Sequence, residues 1–174
     1  MDKGDFLTRL TIWLALCGYA AGAGTLLLAR RRPRWMAGAR LAWTLGCAFF
    51  LAHVASAFTY FHHWSHEAAY RETALETSEL TGLNWGGGIY LNYLFTVAWL
   101  ADVGWWWLGP KSYTERSPVI AAILHGFFFF MVFNGTVVFG DGPVRWFGVL
   151  ICGGLNVLWW HARQGAIASR TSGT

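Results

Sequence analysis

LAWTLGCAFFLAHVASAFTYF, residues 41–61, contains no Asp, Glu, Lys or Arg. A bilayer core about 30 Å thick needs roughly 20 apolar residues of helix, so this stretch by itself predicts a membrane-spanning helix. It carries one histidine, His53, and runs directly into His62-His63-Trp64-Ser65-His66-Glu67. Four of the six histidines therefore fall within fourteen residues. Imidazole titrates near neutrality and is the commonest metal ligand, so the first candidate chemistry sits where apolar chain meets water.

The rest of the chain reads the same way. Its 174 residues are 55% hydrophobic and 18% aromatic, with 12 Trp and 13 Phe. Only 13% are charged, against about 25% in a soluble domain, and the mean hydropathy is +0.37. Excess Trp and Phe suits the aromatic belts of a polytopic membrane protein. Five stretches are long enough to span: residues 10–29, 41–61, 88–108, 119–139 and 144–160. The last is the shortest and is expected to tilt or lie partly at the interface. The predicted fold class is all-α: a polytopic integral membrane helical bundle of about five transmembrane helices plus a short outer surface helix. Residues 1–174 then form a single transmembrane domain.

Orientation follows from the loops. The first span is preceded by Asp2, Lys3 and Asp5 and followed by Arg30-Arg31-Arg32. That order fits an uncleaved anchor with its N-terminus outside better than a cleaved signal peptide. Under this topology nine Lys and Arg lie inside and four outside, in line with the positive-inside rule. Acidic residues lean the other way, with Glu67, Glu72, Glu76 and Glu79 in one outer loop. The expected location is an integral membrane protein, C-terminus cytoplasmic, in a bacterial inner membrane. The pI near 9.2 is explained by this asymmetry. Basic residues at membrane borders, with no basic face, exclude nucleic acid as a partner. Cys17, Cys47 and Cys152 all lie in apolar stretches and read as packing residues.

The punctuation agrees with this plan. Ser117-Pro118 reads as N-cap and first-turn proline, Gly109-Pro110 as a helix stop, and Gly140-Asp141-Gly142-Pro143 as a tight turn joining two antiparallel helices. The outer loop, residues 62–87, holds a Gly- and Pro-free segment, 64–80, that predicts a surface helix with a narrow apolar face of Trp64, Ala68 and Leu75. Gly86-Gly87-Gly88 after it suits close backbone approach. Residues 165–174 are expected to fray. Gly18 and Gly22 begin a small-residue surface on the first helix that lets another helix approach closely, within the monomer or in another subunit.

Polar groups in hydrocarbon usually face the protein interior or mark function. At about 1.5 Å per residue, His53, Asn92 and Asn134 fall in the outer half of the membrane, and Asp102, His125 and Asn156 in the inner half. Asp102 is the only acidic residue in a predicted span. It is expected to pair with His125, as a structural lock or as a proton relay. His125 and Asn134 are nine residues apart, on opposite faces of an ideal helix. The Asn134-Gly135-Thr136 sequon is discounted because it lies in an apolar span.

His62 and His66, four apart, share a face if the helix continues, and His63 or Glu67 supplies a third ligand if the chain bends. Such a set suits a transition metal such as Zn, Fe or Cu. A haem between His53 and His125 is the weaker alternative, because their estimated depths differ by about 8 Å. The several histidine boxes of a membrane diiron hydroxylase are not present. Nor is there a nucleotide loop or a nucleophile motif. Three functions remain. The first is a small non-catalytic accessory subunit of a respiratory or photosynthetic assembly, whose partners are the lipid bilayer and other membrane subunits or copies of itself. The second is a metal- or haem-dependent redox protein. The third is a small proton-coupled transporter using Asp102 and His125.

Overall fold

The computed structural model describes residues 2–29 and 33–171. The described elements are all helical, with no strand among them. In chain order they are α1 (Lys3–Ala29), a 3-10 turn (Pro33–Trp35), α2 (Met36–Tyr60), α3 (His66–Thr81), α4 (Gly88–Leu108), α5 (Pro110–Thr114), α6 (Pro118–Phe133), a π-helical turn (Asn134–Val138) and α7 (Gly142–Thr171). The basic run Arg30-Arg31-Arg32 and the last three residues lie outside the described residues. The helix of α7 nevertheless continues through most of the stretch expected to fray.

Among the described residues three helices are long and apolar enough to cross a membrane: α1, α2, and α6 with the π turn, Pro118–Val138. The stretches at α4 and α7, also predicted as spans, do not meet that measure. In α4 the reason is composition: four Trp, two Tyr, Asn92 and Asp102 occupy eight of its 21 positions. Helix ends follow local chemistry. Ser65 Oγ accepts from the Ala68 N–H and Ser117 Oγ from the Val119 N–H, the latter with Pro118 in the first turn. Gly82 closes α3 at φ 76°, a left-handed cap that favours glycine.

α1 and α2 pack through glycine. A Cβ on Gly18 would lie 2.6 Å from the Gly46 backbone N, and one on Gly22 would lie 2.9 Å from the Trp43 backbone N. Gly24 faces Leu155 and Leu158 of α7. The small-residue surface of the first helix is thus occupied within the monomer. Around this contact, Trp43, Trp99, Trp106 and Phe128 are almost fully buried, in one core that draws on α1, α2, α4, α5, α6 and α7. Trp43 lies 5.2 Å from Trp99 and 5.3 Å from Phe128, ring centre to ring centre. Where lipid replaces water, such a core gains mainly from dispersion and fit.

Both faces of α6 are used. His125 lies against Trp43, with ring centres 5.7 Å apart. At the other end the π turn buries Thr136, whose hydroxyl donates to the Val132 carbonyl and rests on Gly148 of α7. The surface helix α3 turns a different face inward from the one its apolar residues predict. Ala69 and Ala74 are buried, while Trp64 and Leu75 are exposed. Small residues let α3 lie close to its neighbours, as shown by Gly86, where a Cβ would meet the Tyr70 ring at 2.7 Å.

Candidate functional site

The histidine cluster does not form a metal centre. α2 stops at Tyr60, His63 and Trp64 turn the chain through left-handed backbone (φ 49° and 58°), and α3 restarts at His66. His62 and His66 therefore never share a helical face. His62 packs edge-on against Phe58 and His63 is exposed. His66 Nδ1 is 2.9 Å from the Tyr93 hydroxyl and its Nε2 is 3.4 Å from that of Tyr90. Glu67 pairs with Arg71 one turn along α3. Among the described residues no three His, Cys, Asp or Glu side chains come together to hold a metal ion. The two histidines of the haem alternative each have a protein partner. His53 Nδ1–H donates to the Thr8 carbonyl at 3.0 Å, and His125 Nε2 is 2.9 Å from Arg116 Nη2.

That last contact corrects the expected Asp102–His125 pair. Asp102 is 2% exposed and accepts three hydrogen bonds: from Arg116 Nη1 at 2.6 Å, Trp43 Nε1 at 2.9 Å and the Tyr113 hydroxyl at 3.0 Å. Arg116 stands between carboxylate and imidazole, with its guanidinium 4.0 Å above the Tyr113 ring. Tyr113 stacks on Trp106 at 4.3 Å, the rings 7° from parallel. Burial, and then the charge of Asp102, push the Tyr113 hydroxyl above its ordinary pKa, so it remains a donor. The result is a closed lock joining α2, α4, α5 and α6. Asn156 takes no part; it is exposed and donates to the Cys152 carbonyl of its own helix.

The other polar residues of the predicted spans meet elsewhere. His53 of α2, Asn92 of α4 and Asn134 of the π turn all line one cavity of about 690 Å³ toward the α3 end. That volume lies within the range of small-molecule sites, roughly 300–1,000 Å³. The walls are apolar and aromatic, with Tyr19, Phe50, Phe58, Phe95 and Phe130 among them. α3 contributes Glu72, Thr73, Glu76 and Thr77. Two details stand out along the cavity wall. Trp99, itself 2% exposed, lines it, and its buried Nε1–H has no acceptor. The π turn also borders it, and such turns recur at functional sites.

Sequence reasoning missed Arg116, Trp43 and Tyr113 in the lock, and Glu72, Glu76, Thr96 and Trp99 in the cavity. Arg116 had a signal: a buried carboxylate requires a cation, and Arg116 is the basic residue just before the helix that carries His125. Trp99 had none, because one more Trp among 12 does not reveal which lacks an acceptor. No protein-family model matches the chain, and comparison with curated proteins and with solved structures likewise gives no match.

Proposed function

We propose that the chain is a five-span membrane protein, N-terminus outside, whose working part is the cavity beneath α3, a chamber for a small amphipathic molecule. The observation that carries this reading is convergence: polar residues from three separate helices, costly in hydrocarbon, line the same aromatic-walled cavity.

The earlier alternatives have less to stand on. The glycine surface that motivated a partner subunit lies between α1 and α2. The metal reading required a ligand set that the turn at His63 and Trp64 separates. The transporter reading required proton exchange between Asp102 and His125, and the residue between them is an arginine, which does not release its proton in proteins.

Native mass spectrometry of protein purified in its own lipids tests the proposal. Wild type should carry a small-molecule adduct, whereas Thr96→Trp and Ala57→Phe, each of which fills the cavity, should lose it while their melting temperatures stay near that of wild type. The same adduct on all three proteins would contradict a ligand in this cavity.

A further inference from the structure

We infer that the cavity selects organic cations, holding a positively charged group beside Glu72 and Glu76 and an uncharged body among the rings below. This rests on the reading of the cavity as a binding chamber and adds the charge of its occupant. Glu72 and Glu76 are four apart on α3, so they share a face, and both line the cavity. Neither forms an ion pair among the described residues, where Arg71 pairs with Glu67 and Arg116 with Asp102. Among the described residues no Lys or Arg lines the cavity. The remaining titratable groups on its wall are His53, His62, Tyr19 and Tyr93.

The negative charge at this rim is therefore unanswered. Partial burial, and then the like charges of Glu72 and Glu79, raise the Glu76 carboxyl above its ordinary pKa. A bound cation would relieve both effects. The walls favour the same sign, since aromatic faces present negative potential to a cation.

The test uses three probes of matched bulk: tetraphenylphosphonium, neutral tetraphenylsilane and tetraphenylborate. Binding to the full chain in phosphatidylcholine nanodiscs is measured against empty nanodiscs. The cation should bind about tenfold more tightly than the neutral probe, the combined effect of partly exposed ion pairing and ring contacts. The borate should show no saturable binding. Glu72→Gln with Glu76→Gln should bring the cation down to the affinity of the neutral probe and leave the neutral probe unchanged. If that double variant fails to fold, raising salt from about 0.05 to 0.5 M should weaken the cation alone, because shorter screening lengths act only on charge. Equal wild-type affinities for cation and neutral probe, or a preference that survives both substitutions or high salt, would overturn cation selection and leave the chamber standing. Saturable binding by none of the three would overturn the chamber and the selection together.

Discussion

Arg116→Met should destabilise the protein by about 3–5 kcal/mol, the loss expected when one partner of a buried ion pair is removed. Asp102 and Arg116 are both almost entirely buried as side chains. Without the guanidinium, the carboxylate keeps only the Trp43 and Tyr113 donors, which are neutral, in a core of aromatic rings. Asp102→Asn should be nearly as harmful, because it leaves an arginine charge beside His125. The double change Asp102→Asn with Arg116→Met should be milder than the two singles summed, since it removes both charges together. Arg116→Lys should not rescue. A single ammonium cannot reach Asp102 and His125 with two separate nitrogens while lying flat on the Tyr113 ring. Denaturation followed by Trp fluorescence reads all four. An Arg116→Met protein within 1 kcal/mol of wild type would show that the lock does not hold these helices.

The second large effect is expected at the α1–α2 crossing. Gly18→Leu should cost about 3 kcal/mol or more, at or beyond the upper end of ordinary overpacking. The clash is with backbone, the Gly46 N at 2.6 Å from the first added carbon, so no rotamer relieves it and the helices must separate. Gly46→Leu should behave alike, because its added Cβ meets the Tyr19 N at 2.9 Å and the Trp99 ring at 3.1 Å. Gly104 and Gly126 supply the contrast. An added Cβ there meets nothing within 4 Å, so Ala at either site should be neutral or stabilising by up to about 1 kcal/mol through helix propensity. Melting temperatures of the four variants check the pattern, and equal shifts at all four would contradict it.

The helical class and most helix ends were legible in the sequence, because they depend on local signals. Ser117-Pro118 and Gly109-Pro110 act within a turn of where they stand, and the span at residues 41–61 needs only its lack of charge. What was not legible depended on chain direction after a turn. His62 and His66 look like a ligand pair only while the helix continues, and left-handed backbone at His63 and Trp64 ends it. The inner Asp–His pair was half legible: depth put the two residues near one another, but depth carries no information about a third side chain, Arg116, reaching in from the turn between α5 and α6. On α3 the apolar pattern indicated the wrong face, because close approach favoured Ala69 and Ala74 over the bulkier Leu75.

The central claim is a cavity that opens outward and admits a small molecule. Its most direct test is the reaction of Asn92→Cys, placed in a chain with Cys17, Cys47 and Cys152 changed to Ala, with a membrane-impermeant cationic thiol reagent added outside intact cells. The account predicts labelling from outside, slowed by tetraphenylphosphonium, and labelling of a Ser78→Cys control on α3. A cysteine at position 92 that reacts only after the membrane is opened, in cells where that control reacts freely, would contradict it.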